Sequence, residues 1–232
     1  MVLRVDFFLS VLYVQKYVDM ATGCVDCYCA INRLGEKCME EEEDKKKIIL
    51  DTIEKNLGML SEEEIQAKKS NSEKRFFELA NFIESKMVLL YMYNGKGFDI
   101  TSILEHCFNK KKTVVIPLFN PKKSTLKLLK IEDFHTDLIK SENGFLMPDL
   151  QKCKSVPLRL IDIAIIPGLA FDEKGGRIGI GQGYEKIIPK LPITTRKISI
   201  ILEEHITEPI PVDIRNLMVD IIITDKRVIY KI

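Results

Sequence analysis

The chain of 232 residues has no tryptophan, only three histidines and a formal net charge of +1. With no Trp and 8% aromatic residues, it lacks the stacking platforms on which binders of single-stranded nucleic acid rest. Its balanced charge gathers neither nucleic acid nor an acidic membrane surface. No apolar run approaches the roughly 18 residues of a spanning helix, so no membrane segment is expected. The opening MVLRVDFFLSVLYVQKYVDMATG has a short apolar run, Phe7 to Val14. Asp6 and Ser10 interrupt it and Asp19 spoils the region where a leader would be cut, so it reads against secretion. Proline is missing from the first half, with all nine at or after Pro117; helices are free to form before that point and turns punctuate the second half.

Of six cysteines, four (Cys24, Cys27, Cys29, Cys38) precede residue 40, and Cys107 and Cys153 stand alone. The stretch CVDCYC opens like a zinc site, but no second pair follows at ligand spacing. Reduced thiols of a cytoplasmic protein are the preferred reading. His106, His135 and His205 are isolated from one another and read as surface or helix-end residues.

A charge block, EEEED then KKK at 40–47, separates the cysteine-rich start from the rest. Residues 1–44 read as a loosely held extension and 45–232 as one domain. Ile48, Ile49, Ile53, Leu57 and Leu60 fit a helical face, and SEEE at 61–64 is a capping box opening a second helix with Phe76, Phe77, Leu79, Ala80 and Ile83 inward. DITSILEHCFNK, 99–110, is helical again. MVLLYMY, TVVIPLF, DIAIIP, KISIIL and VDIIIT are continuous apolar runs of strand length, suited to strands buried on both faces; TLKLLKI alternates and suits a half-exposed strand. The fold class is α/β: a mostly parallel central sheet with helices on both faces, in a single three-layer domain.

Six of only 12 glycines fall between Gly168 and Gly183, in PGLAFDEKGGRIGIGQGYEKII, which overlaps the end of DIAIIP. The loop thus leaves the carboxyl end of a core strand, the edge where open α/β sheets bind ligands. Glycines bring backbone N–H groups close to an anion, Arg177 adds a bidentate phosphate donor, and a helix beginning near Tyr184 would aim its positive end at the same place. Neither a GxxxxGK[ST] loop nor a GxGxxG directly after the strand is present; the spacing is GxGxG at Gly179, Gly181 and Gly183.

IDIAIIPGLAFDEKGGRIGIGQGY resembles the signature of the 5-formyltetrahydrofolate cyclo-ligase (methenyltetrahydrofolate synthetase) family, PGLAFD, a Gly turn, then RLG-x-G-x-GYYD. KKIILDTIEKNLGMLSEEE is similar to the family's opening helix and IPVDIRNLMVDIIIT to its closing stretch, so the likeness spans about 45–225. It implies ATP- and Mg²⁺-dependent closure of 5-formyltetrahydrofolate to the 5,10-methenyl form: the γ-phosphoryl group passes to the formyl oxygen, N10 attacks the activated carbon, and ADP and phosphate leave. Positioning and charge stabilisation are the protein's share of such chemistry.

Carried over residue by residue, the resemblance implies that Lys46, Arg177, Gly179, Gly181, Gln182, Gly183, Tyr184 and Glu185 hold ATP. It places Met92, Gly97, Ile180, Gly181, Gln182, Gly183 and Tyr184 on the folate, Asp220 and Glu185 on the metal, and Arg177 and Tyr184 at the reaction. Three positions depart from the family pattern: Leu50 replaces an arginine, Gly97 a glutamate, and Lys186 the metal-binding aspartate of GYYD. These departures motivate the alternative, a catalytically weakened relative that binds nucleotide or folate in a regulatory role. A different small-molecule kinase is a more distant reading. A cytoplasmic monomer with a small-molecule substrate, no nucleic acid and no membrane partner is expected.

Overall fold

The computed structural model describes residues 43–93, 95–120, 125–141, 145–180, 184–210 and 218–231. The chain divides into two units, Met1–Lys47 and Ile48–Ile232. Of the first, residues 43–47 are described and are helical. The cysteine-rich part of the expected extension, and Gly181, Gln182 and Gly183, lie outside the described residues.

The second unit opens on helical residues 48–57 (α1). Ile53 packs with Ala170 and Ile210 in a small apolar cluster to which Ile49, Leu50 and Leu57 add. Helix α2, Glu62–Phe77, starts as its sequence dictates: the Glu64 amide donates to Ser61 Oγ at 3.2 Å, and the Ser61 amide donates to the Glu64 carboxylate at 2.8 Å. The helix is mostly polar and buries only Ser72 and Phe76. It is fastened by polar ties instead, with Ser72 Oγ donating to the Ile201 carbonyl and Lys68 Nζ 2.9 Å from Asp225. The expected single helix over 62–83 breaks at extended Leu79, and a short turn of helix, Ala80–Glu84 (α3), follows. That break turns Phe82 into the core and leaves Ile83 exposed, the reverse of the periodic expectation for Ile83.

The strands, in chain order, are β1 (Met87–Leu89), β2 (Thr113–Asn120), β3 (Thr125–Ile131), β4 (Leu138–Lys140), β5 (Leu146–Pro148), β6 (Lys154–Ser155), β7 (Ile163–Ile165), β8 (Ala170–Asp172), β9 (Arg177–Ile178), β10 (Arg196–Ile200), β11 (Ile206–Thr207), β12 (Ile221–Ile223) and β13 (Val228–Tyr230). Helix α4, Thr101–Asn109, crosses from β1 to β2, and α5 is Tyr184–Ile187. The main sheet has the order β13-β12-β10-β7-β1-β2-β3-β6. Its middle five strands, β12 to β2, are parallel; β13 and β3 run antiparallel to them, and the edge strand β6 pairs antiparallel with β3. The apolar runs buried on both faces, such as Ile163–Ile165 and Ile221–Ile223, are the inner strands, as a sheet covered by helices on both sides requires.

From β1 the chain proceeds to β2 on one side, and from β7 it proceeds through β10 to β12 on the other. The boundary between β1 and β7 is therefore the topological switch point, where segments leaving the carboxyl ends diverge and open a crevice.

The glycine-rich segment, expected as a loop, is mostly a hairpin: β8 pairs antiparallel with β9, and β11 adds in parallel to β8. The helix after it also differs from expectation. α5 has four residues and continues as a 3₁₀ turn, Ile188–Lys190, too short to present a macrodipole to an anion.

Candidate active site

Two cavities open at the carboxyl edge beside the switch point. The larger, about 680 Å³, is walled by α1 (Leu50, Ile53, Glu54, Leu57), α2 (Ile65, Gln66, Lys69), the segment after β1 (Tyr93 to Asp99), Leu169 after β7, and Leu202 and His205 after β10. The smaller, about 350 Å³, is lined mainly by apolar and aromatic groups, among them Met92, Phe119, Phe145, Met147 and Tyr184. Tyr93 lines both.

Arg177 enters β9 with its guanidinium buried, the side chain being 1% exposed. Nη1 donates to the Pro167 carbonyl at 2.6 Å and Nη2 to Glu185 Oε1 at 3.2 Å. Nε finds no acceptor among the described residues. Burial draws the guanidinium pKa below its usual range, against the pull of Glu185. Gly179 lies flush against the guanidinium: a Cβ there would sit 2.6 Å from Glu185 Oε1 and 2.9 Å from Arg177 Nη1. Bare backbone at this position is what admits the ion pair.

The hairpin carrying Arg177 is pinned by one buried carboxylate. Asp172 Oδ1 accepts from the amides of Lys174 and Gly176, and Oδ2 accepts from the amide of Ile210. At the turn, Gly175 takes φ +86° and a Cβ on it would lie 2.3 Å from the Val219 carbonyl oxygen.

Tyr184 is buried edge-on to Tyr91, with ring centroids 6.4 Å apart, and burial raises its hydroxyl pKa well above the usual range. It remains a neutral phenol that lines the smaller cavity. Met92 lines that cavity as well, whereas Gly97 lines the larger one. The set expected to touch folate is thus divided between two adjoining spaces. Ile180 lies near Gly97, its Cγ2 being 3.9 Å from where a Gly97 Cβ would stand. Lys46 is a half-buried helical residue of the first unit.

The expected metal pair is not brought together. Asp220 immediately precedes β12, so it lies at the amino edge of the parallel sheet, opposite both cavities. There it accepts from the Lys197 amide at 2.9 Å and pairs with Lys197 Nζ at 3.3 Å. Glu185 lies at the carboxyl edge against Arg177. Among the described residues no three His, Cys, Asp or Glu side chains cluster as a metal cage. Asp220 therefore does not fit a metal site shared with Glu185.

The three departures have clear places. Leu50 and Gly97 are both on the wall of the larger cavity. Lys186 turns outward, Nζ standing 4.5 Å from the centre of the Phe119 ring as a cation–π contact. Asp99, two residues from Gly97, is a helix-start acceptor for Thr101 and pairs with Lys69 at 3.0 Å, so the cavity keeps a carboxylate and a cation.

Of the two placements expected for the histidines, surface or helix end, His205 takes the second, closing the 3₁₀ turn Glu203–His205. It is buried on the larger cavity's wall, and Nδ1 contacts the Leu202 carbonyl at 3.3 Å, an acceptor that fixes Nδ1 as the protonated nitrogen. Burial lowers its pKa. The folded state thus holds fewer protons here than the unfolded chain, and the stabilisation present above about pH 6.5 is lost as pH falls through the lowered folded value. Urea midpoints of the wild type are expected to drop below that pH more steeply than those of His205→Gln. Equal slopes would place the acid sensitivity elsewhere. His106 contributes in the same direction, stacked on Phe77 with its pKa lowered, and it is common to both proteins.

A mostly parallel sheet with two cavities at its switch point, and a glycine-framed hairpin that carries a buried arginine, define an α/β enzyme framework. The sequence pattern of the 5-formyltetrahydrofolate cyclo-ligase family matches residues 42–225. A probable 5-formyltetrahydrofolate cyclo-ligase of Schizosaccharomyces pombe is 28% identical over 202 residues, covering 81% of this chain and 98% of the relative. A probable 5-formyltetrahydrofolate cyclo-ligase of Caenorhabditis elegans is 26% identical over 179 residues, covering 72% and 86%. In fold, the chain is similar to the NMR structure of Aquifex aeolicus 5,10-methenyltetrahydrofolate synthetase, with TM-score 0.67 and 24% identity over 81% of this chain and 92% of that one. The Mycoplasma pneumoniae 5,10-methenyltetrahydrofolate synthetase matches at TM-score 0.57 and 17% identity, covering 78% and 98%. The chain belongs to the 5-formyltetrahydrofolate cyclo-ligase family.

Proposed function

We infer that this protein closes 5-formyltetrahydrofolate to 5,10-methenyltetrahydrofolate at the expense of ATP, on the domain that begins near residue 45. The carrying observation is the pair of adjoining cavities that share Tyr93, which gives two ligands room side by side, with Tyr184, at the end of the hairpin segment that carries Arg177, on the wall of the smaller. The flat pterin suits the aromatic-lined cavity with Met92 and Tyr184, and the nucleotide suits the larger one. Bound ATP supplies the phosphoryl group that makes the formyl oxygen a leaving group. Arg177 holds negative charge on the phosphoryl oxygens, Asp172 keeps the hairpin in register, and neutral Tyr184 closes the ring site without adding charge. Gly179, Gly181, Gln182 and Gly183 frame the phosphates and Ile180 the folate in this reading, and Lys46 is assigned to the nucleotide. A Mg²⁺ ion accompanying ATP would be held chiefly by the nucleotide's phosphates and by waters, as this ion prefers, and would offset charge on the phosphoryl group.

A cytoplasmic monomer is part of the same proposal; among the described residues no helix is long and apolar enough to cross a membrane. The alternative, a weakened relative that binds without turnover, rests on Leu50, Gly97 and Lys186. ADP release separates the readings. It is expected only when 5-formyltetrahydrofolate and ATP are both present. ADP release driven by another small molecule, but not by the formyl folate, would point to a kinase, and tight ATP binding with no ADP release would point to the binder.

A further inference from the structure

We propose that Glu185 is a built-in stand-in for the substrate's phosphate: its carboxylate takes the guanidinium face that the incoming anion must reach. The inference rests on the reading of Arg177 as the phosphate anchor. Arg177 has five N–H donors in principle, yet the described structure gives it the Pro167 carbonyl and one Glu185 oxygen. The Glu185 contact is single and 3.2 Å long, not the paired fork that arginine makes with a committed carboxylate. The two partners differ sharply in access: the arginine side chain is 1% exposed and the glutamate 40%. The solvent-facing member of the pair is therefore the carboxylate. An anion bound to Nη2 meets the negative charge of Glu185 first and must displace it.

Gly179 leaves no room for a side chain on this pair, since a Cβ there would stand 2.6 Å from Glu185 Oε1 and 2.9 Å from Arg177 Nη1. The stand-in compensates a buried cation and adds a step of exchange to nucleotide binding. The family motif carries tyrosine where this chain has Glu185, so the carboxylate distinguishes this chain within the family pattern.

The test is isothermal titration of ATP and of adenosine, in the same Mg²⁺ buffer, into the full chain and two variants. Glu185→Gln keeps an oxygen for Nη2 but removes the charge, and Glu185→Tyr installs the family residue; if one fails to fold, as its thermal midpoint reveals, the other carries the test. ATP is expected to bind the variants about tenfold more tightly than wild type, with adenosine unchanged, a tenfold change being about 1.4 kcal/mol. Unchanged or weaker ATP binding overturns the inference, weaker binding with lost Mg²⁺ dependence marking Glu185 as a metal ligand instead. Arg177→Met, run alongside, separates this failure from failure of the anchor. If Arg177→Met binds ATP like wild type, the phosphate reading itself falls. If it loses ATP while the Glu185 variants gain nothing, only the stand-in falls.

Discussion

Arg177→Ala is expected to lower the rate of methenyl formation by about 10²–10³-fold, the scale seen when one preorganised donor to developing charge is removed. The fold should survive. The guanidinium is buried and its Nε has no acceptor among the described residues, so its removal relieves a desolvated charge, and Glu185, 40% exposed, is left free to hydrate. Arg177→Lys should recover little. A lysine supplies a point charge but cannot hold the Pro167 carbonyl and a phosphoryl oxygen at once in fixed directions. Steady-state kinetics on variants with wild-type thermal midpoints check this. A wild-type rate in Arg177→Ala would remove Arg177 from the chemistry.

Gly175→Ala tests the scaffold. The residue sits at φ +86°, where an L side chain costs about 1–2 kcal/mol. Its Cβ would also stand 2.3 Å from the Val219 carbonyl oxygen. Backing away is not cheap, because the Val219 amide donates to the Gly175 carbonyl at 2.9 Å and the two strands of chain are joined at this point. A loss of about 3–4 kcal/mol is expected, which for a domain of this size lowers the thermal midpoint by roughly 6–16 °C. The neighbouring exposed Lys174→Ala should shift it within about 0.5 kcal/mol, the ordinary range for surface changes. A Gly175→Ala midpoint as high as that of Lys174→Ala would show that this turn is not rigidly packed.

Much of this architecture is legible in the chain because local chemistry and burial agree. SEEE at 61–64 forms the capping box its spacing specifies, and DIAIIP, KISIIL and VDIIIT are inner strands because only a sheet covered on both faces hides such runs. Other features depend on partners far along the sequence. The strand pair β8–β9 is two and three residues long, too short to show an alternation, and it exists because Asp172 gathers amides from Lys174, Gly176 and Ile210. His205 is buried by the walls of a cavity contributed by α1, α2 and the segment after β1, none of them near in sequence. Asp220 shows a signal that was available. A residue just before a parallel strand lies at the amino edge, and one just after such a strand lies at the carboxyl edge. VDIIIT therefore already sets Asp220 apart from the loop that leaves DIAIIP. The division of Met92 and Gly97 between two cavities carried no such signal, since it depends on how the segment after β1 turns past Tyr93.

The central claim is turnover, and its most direct test is the absorbance of the methenyl product itself, monitored over time with the purified chain, 5-formyltetrahydrofolate, ATP and Mg²⁺. The absorbance is expected to rise only when ATP is present, and its rate of rise to fall by two to three decades in Arg177→Ala. A flat trace from folded wild-type protein that still binds ATP would contradict it, and would mean that the losses at Leu50, Gly97 and Lys186 have silenced the chemistry.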